Sequence, residues 1–391
     1  MEDSTDILSI RNVYKVFGDD PDTAMKMLDK GASKDEIFEK TGQTVGVFDA
    51  SFTVKKGEIF VIMGLSGSGK STMVRLLNRL IEPTSGTIEL KGKNITALGD
   101  EDLLDVRRKE MSMVFQSFAL MPHMSVIENS AFGLEISGVE KKERDKRALE
   151  ALEQVGLGEH AASYPHQLSG GMQQRVGLAR ALTNDPTILL MDEAFSALDP
   201  LIRYEMQGEL IRLQKEQERT IVFISHDLDE AIRIGDRIAI MEGGRVIQIG
   251  TPKEIMSNPE NEYVETFFKG VDVSKFLMAQ DIASQNIGLV IDRQTSVVPA
   301  TFTNQTFAYL LDDKKKLQGI LPLSEHDRSA NISALLSKQI MQYKSVYDDA
   351  MVKSIVNIVA EAPYPVPVVK KDGTFCGVIS KDLLLQTLSH G

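Results

Sequence analysis

Residues 64–71 read Gly-Leu-Ser-Gly-Ser-Gly-Lys-Ser, a spacing of glycine, lysine and serine that suits the grip of a phosphate chain. Glycines let backbone N–H groups wrap an anion, the lysine reaches the outer phosphate oxygens, and the following hydroxyl can ligate a divalent cation. Gly64, Ser66, Gly67, Ser68, Gly69, Lys70, Ser71 and Thr72 are therefore candidate nucleotide ligands, with Ser71 also a ligand for Mg²⁺. A second set lies in TILLMDE, an apolar run that ends in Asp192 and Glu193. Asp192 suits the water shell of the cation, and Glu193 suits the orientation and deprotonation of an attacking water. Gln116, in MVFQSFALMP, follows another short apolar run, where an amide can contact both the metal and the water. His226 follows TIVFIS, within reach of a terminal phosphate, although a lone histidine at a strand end is usually structural. In LSGGMQQRVGLARAL, Ser169, Gly170 and Gly171 open a helix whose uncapped N–H groups and dipole attract an anion. This second trap needs its own explanation, because the lysine loop already provides a better one.

These residues need a scaffold. ILSIRNVYKVF reads as an opening strand, and SFTVKKGEIFVIMG as another that runs into the glycine loop. TILLMD and TIVFIS are continuous apolar runs of strand length, as in a parallel sheet buried on both faces. Between about 117 and 165 apolar residues recur at helical spacing. The sum is an α/β nucleotide-binding fold with an inserted helical subdomain. A further insert at about 19–44 reads as two short helices: Pro21 starts the first, Gly31 ends it, and Ser33 with Glu36 forms a capping box for the second. Surface decoration and a role in docking are equally good readings of it. Near the C-terminus, AYLLDDKKKLQGILPL and VPVVKKDGTFCGVISK both read strand, turn, strand, with Gly319 and Gly377 in matching places. A repeat of about 58 residues predicts a duplicated βαββα unit.

At 391 residues the chain exceeds what one core usually serves, so two domains are expected. Residues 271–391 carry as many basic as acidic side chains, which assigns the whole net charge of −12 to residues 1–270 and puts the boundary there. That acidity argues against nucleic acid as a partner. A single cysteine, Cys376, excludes a disulfide framework and suits a reducing compartment. The acidic start MEDSTDILSI lacks a secretory pattern, and no apolar run approaches the roughly 18–20 residues of a membrane span, so a cytoplasmic location is expected.

The lysine loop at 64–71, Gln116, LSGGM at 168–172, the strand ending in Asp192 and Glu193, SALD at 196–199 and His226 follow the order and rough spacing of ATP-binding cassette (ABC) ATPases. The resemblance covers roughly residues 6–270. It implies ATP with Mg²⁺ and a head-to-tail dimer, in which Ser169, Gly170 and Gly171 of one copy hold the γ-phosphate bound by Lys70 of the other. It also implies that Phe17 stacks on adenine, with Tyr14 a weaker candidate, and that Asp199 belongs to an element that signals between copies. Met172 stands where LSGGQ is commoner, but the serine and glycine backbone carry the contact.

The insert at 19–44 and the sequences around the motifs further resemble the ATPases of ProU-type glycine betaine/proline betaine importers, and the C-terminal repeat is similar to a tandem CBS domain. The resemblance implies a second copy of the chain, integral-membrane permease subunits, an extracytoplasmic solute-binding protein and a peripheral place on the cytoplasmic face of the inner membrane. Other solutes, choline or carnitine, and a chiefly nucleotide-sensing role stand as alternatives. Two signals are in view for the CBS segment, a nucleotide and ionic strength. Ser380 precedes Asp382 by two residues where the CBS nucleotide pattern has three, which favours a ligand-free regulatory or dimerising role. Lys314, Lys315 and Lys316 suit contact with anionic lipid, but a solvated turn balanced by Asp312 and Asp313 is the preferred reading.

Overall fold

A computed structural model describes residues 6–115, 119–196, 198–269, 272, 274, 277–284, 289–291, 306–324 and 340–389. Gln116 and Ala197 of the SALD segment lie outside the described residues. The chain divides into two compact units, Met1–Thr266 and Phe267–Gly391.

The first unit begins with β1 (Asp6–Phe17), the insert helices α1 (Pro21–Asp29) and α2 (Lys34–Thr41), β2 (Thr44–Lys55), β3 (Ile59–Met63) and α3 (Lys70–Leu77). It continues through β4 (Ser85–Leu90), β5 (Lys93–Asn94), α4 (Asp100–Lys109), β6 (Met111–Val114), α5 (Val126–Ile136), α6 (Lys141–Gln154) and α7 (Gly170–Thr183). Then come β7 (Ile188–Asp192), α8 (Pro200–Gln217), β8 (Thr220–Ser225), α9 (Leu228–Ile234), β9 (Arg237–Glu242), β10 (Arg245–Gly250), α10 (Pro252–Ser257) and α11 (Glu262–Phe268).

Six strands form one sheet in the order β10-β9-β3-β8-β7-β6, parallel from β9 to β6 and closed by antiparallel β10. Every residue of β3, β7 and β8 is buried, which explains their unbroken apolar runs. A second, antiparallel sheet has the order β2-β1-β4-β5. The expected single strand SFTVKKGEIFVIMG is in fact two, one in each sheet. The chain turns at Gly57, whose φ is +75°, and the Glu58 carboxylate closes the turn by accepting the Lys55 N–H at 2.6 Å. The polar run Lys55-Lys56-Gly57-Glu58 marks that break in the sequence, and the reading of one continuous strand passed over it. Leu8, Ile10, Val54 and Ile88 of the antiparallel sheet share one core with Phe60, Ile62 and Ile224 of the parallel sheet and with Met73 and Leu76 of α3. Phe52 and Phe60 stack across it at 5.2 Å.

The helical stretch expected before LSGG resolves into α5 and α6, which turn at Gly138 (φ +76°) and pack on each other and on α7. Ser125 and Glu128 close a capping box at the start of α5. The insert forms the two expected helices. Pro21 sits at the start of α1, Gly31 lies past its end at φ +82°, and Ser33 and Glu36 bond reciprocally at 3.2 and 2.9 Å to cap α2.

In the second unit the order is α12 (Ala279–Ile282), β11 (Leu289–Ile291), β12 (Phe307–Leu311), β13 (Leu317–Pro322), β14 (Val346–Tyr347), α13 (Val352–Glu361), β15 (Val366–Val369), β16 (Phe375–Ile379) and α14 (Lys381–Ser389). Two three-stranded sheets, β11-β12-β13 and β14-β15-β16, each contain one parallel and one antiparallel pairing. The registers of the antiparallel pairs match: Leu310 pairs with Gly319 as Val368 pairs with Gly377, and a bulge follows each pair. The first-copy helices that the repeat predicts lie outside the described residues. Lys314–Lys316 form the turn between β12 and β13, where the Asp312 carboxylate accepts the N–H groups of Lys314 and Lys316 at 2.9 and 2.8 Å. Ser380 caps α14 by accepting the Leu383 N–H at 3.1 Å.

Candidate nucleotide site

The glycine loop links the C-terminal end of β3 to the N-terminus of α3, so strand and helix geometry fix both ends of it. Phe17, Thr44, Val45, Gly46, Gly64, Leu65, Ser66, Gly67, Gly69, Lys70, Ser71, Thr72, Glu193 and His226 line a cleft of about 690 Å³ there. Two glycines are obligatory on space alone. A Cβ on Gly64 would lie 2.1 Å from the Met241 carbonyl, and one on Gly69 2.5 Å from that of Gly46, both at positive φ. Lys70 is buried, and its Nζ donates to the carbonyls of Gly64 at 2.8 Å and Leu65 at 3.0 Å. Burial lowers its pKa, while the nearby Glu193 and Asp192 carboxylates act the other way.

Ser71 Oγ donates to Asp192 Oδ1 at 2.9 Å, and Arg75, which the motif reading passed over, lies 3.7 Å from the other Asp192 oxygen. Glu193 leaves β7 with φ +47°, a left-handed conformation that costs a non-glycine residue about 1 kcal/mol or more. Its carboxylate lies 3.3 Å from His226 Nδ1. Ser71 thus meets Asp192 and His226 meets Glu193, with Lys70 near both carboxylates, so five residues from three separate motifs gather here. Ser68 stands apart: its buried Oγ lacks a hydrogen-bond partner, its N–H already donates to the Leu65 carbonyl at 3.2 Å, and it is not among the lining residues.

Phe17 forms the opposite wall, with its ring against Gly46, where any Cβ would come within 2.6 Å, and with Lys15 Nζ 5.1 Å from the ring centroid. Tyr14 instead packs on Phe48 at 5.4 Å, in the apolar core under the insert. Thr44, Val45 and Gly46 were not legible as site residues. They carry no motif and enter the cleft because β2 pairs with β1, Thr44 opposite Phe17.

Ser169 Oγ accepts the Met172 N–H at 3.3 Å and so caps α7, with Ser169 and Gly170 exposed at the helix start. Gly171 is buried where a Cβ would press within 2.5 Å of Ile202. The Asp199 carboxylate caps α8 by accepting the N–H groups of Leu201 at 3.2 Å and Ile202 at 3.1 Å. Ser169, Gly170, Gly171 and Asp199 do not line the Lys70 cleft of their own chain. A network supports His226 from behind. Ser225 Oγ accepts the Asp227 N–H at 2.9 Å and donates to Glu230 at 2.5 Å, and Gln207 donates to the other Glu230 oxygen at 3.0 Å. Arg203 ties Asp227, at 3.3 Å, to the carbonyls of Ser196 and Leu198, both at 3.2 Å.

A family model described as ABC transporter matches residues 47–196. The chain is 51% identical to the glycine betaine/proline betaine transport system ATP-binding protein ProV of Salmonella typhimurium, over 98% of each chain. It is 50% identical to the glycine betaine transport ATP-binding protein OpuAA of Bacillus subtilis, over 98% of this chain and 92% of that one. Among solved structures it resembles dimeric MJ0796, a bacterial ABC transporter cassette, at 33% identity and TM-score 0.53, over 62% of this chain and 98% of that one. The same cassette, solved as a dimer in a post-hydrolysis state bound to ADP and Pi, matches at 32% identity and TM-score 0.53. With its cleft, its sheet order and these likenesses together, the chain belongs to the family of ABC transporter ATP-binding proteins that includes those of glycine betaine/proline betaine transport systems.

Proposed function

We propose that the chain is the ATP-hydrolysing motor of an importer for glycine betaine and proline betaine. The observation that carries this reading is the 51% identity to ProV over 98% of both chains, which leaves no domain of either unmatched. In the cleft, the backbone of Gly64–Gly69 and the Lys70 ammonium hold the phosphates, and Phe17 stacks on the adenine. Glu193 orients the attacking water and accepts its proton, and His226 steadies the terminal phosphate from the Glu193 side. Ser71 and Asp192 offer hard oxygens 2.9 Å apart beside the loop, a donor set that suits Mg²⁺, with Gln116 as a further ligand. Bound there, Mg²⁺ would neutralise phosphate charge.

A second copy of the chain completes the site. Ser169 and Gly170 stand exposed on a helix N-terminus of 14 residues yet outside their own cleft, which fits capture of the γ-phosphate held by the partner copy. Hydrolysis removes that bridge and opens the pair, so two states set by nucleotide can drive a permease. Among the described residues no helix is long and apolar enough to cross a membrane. The chain sits peripherally on the cytoplasmic face of the inner membrane, with integral-membrane permease subunits supplying passage and an extracytoplasmic solute-binding protein supplying selectivity. Residues 271–391 are read as tandem CBS domains, supported by the matched registers of the antiparallel pairs β12-β13 and β15-β16. The Asp312-capped turn favours a solvated role for Lys314–Lys316 over a lipid contact, and Ser380 serves as a helix cap.

The test is ATP-driven uptake of labelled glycine betaine by vesicles that contain the chain with its permease and binding protein. Uptake that unlabelled proline betaine suppresses, and choline and carnitine do not, is the expected result. ATP hydrolysis without betaine entry would keep the motor and overturn the substrate.

A further inference from the structure

The insert leaves β1 directly after Phe17 and returns to the sheet as β2 at Thr44, and these two residues face each other across the pairing. Both ends of the insert are thus walls of the cleft, since Phe17, Thr44, Val45 and Gly46 all line it. The insert's own core joins Ala24, Leu28 and Ile37 to Val16 and Val45, which pair with each other immediately behind that wall.

Polar contacts continue the link. Lys34, the first residue of α2, is half-buried and donates from Nζ to the Val45 carbonyl at 2.9 Å. The same ammonium lies 2.5 Å from where a Cβ on Gly244 would sit, and the Gly244 N–H donates to the Ser68 carbonyl of the phosphate loop at 2.9 Å. At the other end of the insert, Gln43 Cγ packs 2.9 Å from the Cβ position of Gly18, the residue that follows Phe17. Burial and the neighbouring Arg245 both lower the pKa of Lys34, with Asp35 opposing them.

We infer that the insert is part of the nucleotide site, with Lys34 and Gln43 as positioning residues that hold the Thr44–Gly46 wall and Phe17 in place around the base. The inference rests on the reading of the cleft as an ATP site. It gives the insert a use that neither surface decoration nor docking supplies, because its contacts run inward to the cleft wall.

The experiment uses the full chain with Lys34→Met and Gln43→Ala. Steady-state ATP hydrolysis, binding of a fluorescent ATP analogue and binding of inorganic tripolyphosphate, which has no base, are compared with wild type. Loss of a charge-assisted hydrogen bond to a part-buried carbonyl should raise KM for ATP and Kd for the analogue roughly three- to tenfold in Lys34→Met. Turnover should hold within about twofold, since Glu193 and His226 are untouched. Tripolyphosphate affinity should not change, and Lys34→Arg should recover most of the loss.

Unchanged KM in both variants, or a fall in kcat with KM intact, would overturn the inference. A parallel loss of tripolyphosphate affinity would also overturn it, because Lys34 would then act as a phosphate-side charge. Melting curves of the nucleotide-free chains guard against misfolding: if Lys34→Met fails to fold, Gln43→Ala carries the same split between KM and kcat. Wild-type chain that neither binds nor hydrolyses ATP would defeat the ATP-site reading itself, a result distinct from the others.

Discussion

The catalytic reading depends on one small distance. Glu193 and His226 come from different strands, yet their side chains stand 3.3 Å apart over the phosphate loop. Replacing Glu193 with Gln keeps the shape and removes the proton acceptor. Hydrolysis should fall by roughly 10² to 10⁴ while ATP still binds, as checked by turnover and by equilibrium binding of a fluorescent analogue. Undiminished turnover would remove Glu193 from the chemistry. Lys70 predicts the opposite pattern. Its Nζ is held by the Gly64 and Leu65 carbonyls, poised where the phosphates would take over those contacts. Lys70→Ala should therefore abolish detectable analogue binding, with melting of the nucleotide-free chain nearly unchanged.

At the scale of elements, the contact between α7 and α8 joins the LSGG helix to the helix that Asp199 caps. Gly171 meets Ile202 so closely that an added Cβ would overlap its Cγ2, and a β-branched side chain has little rotamer freedom to yield. Gly171→Ala should lower stability by about 1–3 kcal/mol, and Ile202→Ala in the same chain should recover much of it, as read from urea midpoints. Behind His226, α9 contributes Glu230, whose carboxyl is pushed above its ordinary value of 4.5 by burial, with its hydrogen bonds from Ser225 and Gln207 opposing that shift. As pH rises through 4.5 the unfolded chain loses this proton first, so the folded state loses stability from there up to the raised pKa. Glu230→Gln should therefore raise the melting temperature at pH 7, with the gain shrinking as pH falls toward 4.5. A gain that does not vary with pH would mean that the carboxyl is ionised in the folded chain.

For the whole molecule, the division between Thr266 and Phe267 falls within α11, whose Val264 and Phe268 are both buried. A cut at 266 would split that helix. A chain that ends at Lys269 keeps α11 whole and should hydrolyse ATP, measured as phosphate release beside the full chain. The vesicle uptake described above, run at several internal salt concentrations with and without residues 271–391, then assigns or removes a regulatory role for the repeat. A salt dependence that survives the truncation would place the sensor elsewhere in the complex. The antiparallel pairs of that repeat, β12-β13 and β15-β16, share their register over Ala308–Leu311 and Val366–Val369, and each carries a glycine beside its bulge.

Much of the protein was legible in the sequence alone. The phosphate loop, the buried strands, the caps of the insert and the 58-residue repeat are local patterns, set by backbone conformation and by side-chain periodicity over a few residues. The polar break KKGE in SFTVKKGEIFVIMG signals two strands, but that each half joins a different sheet was not legible, because pairing with distant strands decides it. The wall at Thr44–Gly46 and the link from Lys34 to Val45 were not legible either. Each depends on strand pairing and on packing between residues 10 or more positions apart, and no short window of sequence encodes which of several equivalent aromatic or polar residues a neighbouring strand will face. Local chemistry named the phosphate grip, and tertiary packing decided what surrounds the base.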